Sequence, residues 1–128
     1  MAREKLARLT PVEAQIMDCV WQLERATVRQ VQDALSPEKD SAYNSVLTVM
    51  RILRDKGFLT SEREGRTDVY RATVSRERMG RRGLTELLDR FFSGSPQRLV
   101  SQLLDSEEVD LEEVLAIRKE IDRKLRER

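Results

Sequence analysis

Asn44, Ser45, Thr48 and Arg51 fall close together in YNSVLTVMRILRD, and Arg63 and Arg66 follow on either side of Glu64-Gly65. The chemistry these types share is hydrogen bonding and charge, without proton transfer. A carboxamide such as Asn44 meets the edge of adenine with a donor and an acceptor at once, and the hydroxyls of Ser45 and Thr48 meet bases or phosphates. The Thr48 methyl suits a thymine methyl. Arg51, Arg63 and Arg66 suit phosphate oxygens, which position a protein on a duplex without specifying sequence. Singly, each has a plainer reading, since Asn, Ser and Thr near a helix start serve as caps and a charged turn is usually solvated. Their order along the chain carries the weight.

The elements that must position them can be read in turn. Thr10-Pro11-Val12-Glu13 is a capping box with proline at the first helical position, and Val12, Ile16, Val20 and Leu23 recur behind it at helical spacing, with Met17 and Cys19 alongside. This predicts a first helix over 11–24, with Trp21 packed near its end. Thr27-Val28-Arg29-Gln30 opens a second, striped by Val28, Val31 and Leu35 and stopped at Ser36-Pro37, with residues 36–41 as a polar connection. A third helix over 42–56 puts Val46, Val49, Met50 and Leu53 on one face and Asn44, Ser45, Thr48 and Arg51 largely on the other. Gly57 is its left-handed cap, and Phe58 and Leu59 return to the core. Strands are expected over 59–63 and 67–72 around a Glu64-Gly65-Arg66 turn.

Composition narrows the function. The 128 residues contain one cysteine and no histidine. The commonest general base and metal ligand are therefore missing, and no phosphate-binding glycine motif is present. These absences argue against an enzyme, and no cofactor or metal is expected. Cys19 reads as a small buried apolar residue. No apolar run is long enough to span a bilayer, and MAREKLARLT has no apolar block behind its charges, so a cytoplasmic protein without membrane insertion is expected. The net charge of +1 hides a pattern: bases crowd 51–71, and acids crowd 105–113.

Beyond Ser75 the pattern changes to helices. Met79, Leu84, Leu87, Leu88, Phe91 and Phe92 line one, Leu99, Val100, Leu103 and Leu104 a second, and Val114, Ile117, Ile121 and Leu125 a third behind an Asp110 cap. These faces are large for the residues available to cover them, which marks an interface. The expected dimer interface is Leu84, Leu87, Leu88, Phe91, Leu99, Leu103, Val114, Ile117 and Ile121. Gly80 and Gly83 disfavour a helix, so Arg76 to Gly83 is read as a linker, with close helix contact as the other explanation. The arginines at 76, 78, 81 and 82 would add phosphate contacts there.

Two short helices, a third with small polar residues outward, then a basic hairpin form the order of a winged helix-turn-helix. The fold class is mainly α with a small β-hairpin. Residues 1–75 are the expected DNA-binding head, with the third helix in the major groove of double-stranded DNA, and 76–128 a helical dimerisation region.

The pieces LTPVEAQIMDCVWQL, ATVRQVQDAL, YNSVLTVMRILRDKGFL and the segment ending VYRATVSRE resemble the penicillinase repressor family, of the BlaI/MecI type, to which copper-operon repressors are related. The resemblance covers nearly the whole chain and is strongest from Leu9 to Val74. It implies a homodimer that represses transcription from palindromic operators, with Asn44, Ser45 and Thr48 facing DNA from the third helix and Arg63 and Arg66 from the wing. Family members often carry Lys or Thr where this chain has Asn44 and Ser45, so the resemblance does not carry over an operator sequence. Copper-responsive relatives end in a cysteine pair motif, whereas IDRKLRER has none, and soft-metal sensing is not expected. In β-lactam-responsive members a sensor-linked protease cuts the dimerisation region at an Asn-Phe bond. The matching position here is Gln102-Leu103. Two other readings share the fold, a winged helix that binds protein rather than DNA and an activator.

Overall fold

Residues 9–35 and 43–128 are described by the computed structural model. The predicted stop at Ser36-Pro37, the 36–41 connection and Ala42 lie outside the described residues. Among the described residues the elements run α1 (Pro11–Leu23), α2 (Val28–Leu35), α3 (Tyr43–Asp55), β1 (Leu59–Glu64), β2 (Thr67–Ala72), α4 (Arg76–Phe91), α5 (Pro96–Asp105) and α6 (Leu111–Arg126). This is the element order of a winged helix-turn-helix followed by helices.

Local chemistry explains the starts and stops. The Thr10 side chain accepts from Glu13 N–H at 3.1 Å, and Glu13 Oε1 accepts from Thr10 N–H at 2.9 Å, which closes the capping box of α1. Thr27 and Gln30 form the same reciprocal pair at α2, at 3.2 and 2.9 Å. At the end of α3, Phe58 N–H donates to Leu53 O and Gly57 N–H to Arg54 O. With Gly57 at φ +92, this is the Schellman arrangement, which satisfies carbonyls that the helix leaves open.

The core of the head gathers Ile16, Met17 and Val20 from α1, Val28 and Val31 from α2, and Val46, Met50 and Leu53 from α3. Phe58, Leu59 and Tyr70 cover these from the hairpin side. One predicted face needs correction. Val12 is 52% and Leu23 39% exposed, while Glu13 is buried. Positions 13, 16, 17 and 20 form one contiguous helical face, and Val12 and Leu23 fall on its flanks. Val49 is only half-buried, at the edge of the α3 stripe.

β1 and β2 pair antiparallel from Leu59↔Ala72 to Glu64↔Thr67, leaving a two-residue turn, Gly65-Arg66. Gly65 takes φ +66, at the first turn position, where tight hairpins favour glycine. Ala26 adds an isolated bridge to Tyr70.

The predicted linker from Arg76 to Gly83 is corrected, because α4 runs unbroken through both glycines. Ser75 Oγ accepts from Arg78 N–H at its start. A Cβ at Gly80 or Gly83 would meet nothing within 4 Å, so neither glycine serves close packing within the chain. Flanking residues with high helix propensity carry the helix across them. Two compact units divide after Leu84, within α4. In the second, Ser95 caps α5 and Asp110 caps α6, and none of residues 85–128 is buried. Among the described residues no helix is long and apolar enough to cross a membrane.

Candidate nucleic-acid interface

The buried residues Val46, Met50 and Leu53 orient α3, and the helical repeat then fixes what lies opposite them. Asn44 and Thr48 are exposed at the centre of the outer face, with Arg51 on one flank and Ser45 on the other. Ile52 and Asp55 share this face, and sequence reading passed over both. Ile52 is 42% exposed, an apolar residue among polar ones.

Thr48 is more constrained than its type suggests. Its hydroxyl donates to the Asn44 carbonyl at 2.8 Å. The proton is thereby committed to the helix, and the oxygen remains an acceptor. A phosphate oxygen offers no proton, so in this rotamer the Thr48 oxygen can accept from an N–H or O–H donor but has no proton left for a phosphate.

Beside this face lies a cleft of about 560 Å³ between the start of α2, α3 and the hairpin. Arg29, Arg51, Arg63 and Arg66 line it, with Tyr43, Leu47 and Asp68 among its other walls. Asp68 is the one carboxylate of the lining, and Arg63 pairs with it at 3.3 Å. None of Arg29, Arg51 and Arg66 is ion-paired among the described residues. The lining of the cleft thus carries an excess of positive charge, although the chain as a whole is nearly neutral.

The basic run at 51–71 divides in the fold. Arg51, Arg63 and Arg66 meet at the cleft, whereas Arg54 is half-buried and donates to Ser61 Oγ at 3.2 Å. Lys56 turns away altogether, with its ammonium 2.8 Å from Glu13 Oε2. Burial alone would raise the Glu13 carboxyl, but the hydrogen bonds from Lys56 and Thr10 and the Lys56 charge outweigh it and hold the group below its ordinary value. The pair ties the end of α3 to the start of α1. Arg76 is also occupied, pairing with Asp18 and lying 5.3 Å from the centre of the Trp21 ring. Trp21 donates its indole N–H to the Val74 carbonyl at 2.9 Å.

Sequence reading missed Arg29. Its signal was present, because Arg29 sits in the first turn of a helix whose cap was identified, but that the α2 start faces the hairpin follows only from the packing.

The residues expected at a dimer contact are all exposed or half-buried. Leu84, Leu87, Phe91, Leu103 and Ile121 are exposed, and Leu88, Leu99, Val114 and Ile117 are half-buried. Leu111, Leu115 and Leu125 of α6 are also exposed, by 72, 46 and 66%. Gln102 and Leu103 lie inside α5 and are exposed.

The chain is 38% identical over 76 residues to the transcriptional regulator BlaI of Mycobacterium tuberculosis, a match covering 59% of this chain and 55% of that protein. In that match the chain spans about half the length of its relative. It is 18% identical to the methicillin resistance regulatory protein MecI of Staphylococcus aureus, over 94% of this chain and 98% of that protein. The solution structure of the DNA-binding domain of the repressor BlaI matches 56% of this chain and 87% of that domain, with a TM-score of 0.49 and 22% identity. The model of the family described as penicillinase repressor matches residues 9–123. A match of that extent, over a head with this element order, means that the chain belongs to the penicillinase repressor family.

Proposed function

We propose that this chain is a homodimeric transcriptional repressor that binds palindromic operator DNA. One observation carries the reading: four arginines from three elements line a single cleft directly beside the exposed polar face of α3. A duplex presents base edges flanked by phosphates, and this head presents hydrogen-bonding groups flanked by guanidiniums. In this reading α3 enters the major groove. Asn44 reads adenine, Thr48 accepts from a base amino group, and Ser45 touches the far groove wall. Arg51, Arg63 and Arg66 hold phosphates, with Arg29 added to that set.

The apolar faces of α4, α5 and α6 supply the dimer. Two heads then engage half-sites one helical turn apart, ~34 Å, or a multiple of it. One head touches few bases, so tethering the second raises its effective concentration and the pair gains avidity. Loss of the dimer therefore releases DNA without altering any DNA contact. Cleavage near Gln102-Leu103 by a sensor-linked protease is one such route. Because that bond lies inside α5, the helix must open locally before an extended site is available.

The test is binding to fragments of the chain's own upstream DNA across a salt series. Tight binding with two symmetric protected half-sites, weakening steeply as salt rises, supports the reading. Weak, salt-insensitive binding to every DNA tried would transfer the head to protein recognition. Retained full operator affinity after deletion of residues 85–128 would remove the dimer from the mechanism.

A further inference from the structure

The connection between α1 and α2 has an uncommon geometry. Glu24 takes φ +67 and ψ −46, and Arg25 N–H donates to the Leu23 carbonyl at 2.8 Å. This is a γ-turn of the rare hand, strained for a residue with a Cβ. The next residue, Ala26, is fully buried and exchanges two backbone hydrogen bonds with Tyr70, at 2.9 and 2.8 Å. Turn and bridge together deliver Arg25 to the hairpin, where its guanidinium pairs with the Glu64 carboxylate at the end of β1.

That pair contributes little to stability. Both side chains are about half exposed, and exposed ion pairs are weak. The backbone bridge already holds the loop in place. Charge is the role that remains. Residues 59–72 carry Glu62, Glu64 and Asp68 against Arg63, Arg66 and Arg71, so the hairpin alone is neutral. Asp68 is matched by Arg63. An unmatched Glu64 would stand two residues from Arg66 along the chain, inside the roughly 10 Å screening length at 0.1 M salt, and would repel the anion that Arg66 attracts. The Arg25 hydrogen bond is the largest influence on Glu64 and holds its carboxyl below the ordinary value, with Arg71 adding a smaller pull in the same direction.

We propose that Arg25 is a positioning residue of the wing that acts by masking charge: it neutralises Glu64, so the hairpin tip meets the phosphate backbone as a cation. The proposal rests on the DNA-binding reading. Arg25 acts through Glu64 and makes no DNA contact of its own.

The experiment uses the full chain and a random-sequence duplex of about 30 base pairs, because the effect concerns phosphates and not bases. Arg25→Ala should weaken binding about fivefold at low salt. Glu64→Gln should bind at least as tightly as the unmodified chain. Arg25→Ala/Glu64→Gln should return to within about twofold of it, and Arg25→Lys should recover most of the loss. A double variant as weak as Arg25→Ala would mean that Arg25 touches DNA itself, and the proposal would be overturned. An Arg25→Ala protein that binds normally would overturn it too, while leaving the DNA reading intact. If the unmodified chain shows no salt-dependent binding, the DNA reading fails and takes this proposal with it. Glu64→Gln disturbs no buried group, so its result stands even if Arg25→Ala folds poorly.

Discussion

At the scale of single residues, the proposed function separates groups that specify, on the outer face of α3, from groups that attract, at the cleft beside it. Asn44→Ala should relax the choice of base at one position in each half-site, costing about 1–3 kcal/mol against the preferred sequence. Arg66→Ala should weaken binding to all sequences alike and reduce the salt slope by about 1. Operator and scrambled duplexes titrated across salt separate the two outcomes. Thr48 shows what a sequence conceals: its type suggests donor and acceptor, but a bond to its own helix removes the donor. Glu13 gives a similar lesson. Its capping role was legible three residues from Thr10, whereas its pairing with Lys56 spans 43 positions and appears only when α3 folds against α1. Because the folded state holds the Glu13 carboxyl below its ordinary value, the stabilisation is present above about pH 4.5 and is lost as pH falls through the lowered value. Thermal melts should therefore show a stability loss on acidification below about pH 4.5 that is smaller in Glu13→Gln than in the unmodified chain. At neutral pH that variant should be less stable by about 1–2 kcal/mol.

At the scale of elements, helix starts and the glycine cap of α3 were legible because each is written in a few adjacent residues. The path through Gly80 and Gly83 was not, because propensity alone overstated two glycines among good helix formers. Both lie in α4 with open space where a Cβ would stand. Gly80→Ala and Gly83→Ala should each stabilise the chain by about 0.5–1 kcal/mol, read from urea unfolding. A loss of stability would mean that the helix is interrupted there after all. The buried face of α1 was misjudged for a different reason. Apolar periodicity counts Val12 and Leu23 as core, and it has no means of anticipating a carboxylate that is buried because a lysine comes to meet it. The cleft combines the two cases. Its arginines from α3 and the hairpin were visible in one basic run, and the fold then added Arg29 while withdrawing Arg54 and Lys56.

At the scale of the molecule, the chain divides into a head with a well-filled core and a region, residues 85–128, in which nothing is buried. Apolar helical faces of that size need a covering surface, and in the proposed dimer a second copy supplies it. Sedimentation equilibrium should report a dimer, and Phe91→Glu combined with Ile121→Glu should shift it to monomer while the head stays folded. The operator affinity of that variant should fall by at least about tenfold, the lower part of the range expected when avidity is lost. A dimer unchanged by both substitutions would place the contact elsewhere.

The distribution of chromophores follows the same division. Trp21, Tyr43 and Tyr70 all precede Leu84, and residues 85–128 contain neither tryptophan nor tyrosine. Trp21 is half-buried, bonded through its indole nitrogen and covered by a guanidinium. Its emission is therefore an optical report on the head alone, whereas far-ultraviolet circular dichroism sums the helices of both units. Recorded together during denaturation, the two signals time the units separately: coincident curves mean that they melt as one, and a dichroism loss that precedes any fluorescence change means that the C-terminal helices come apart first.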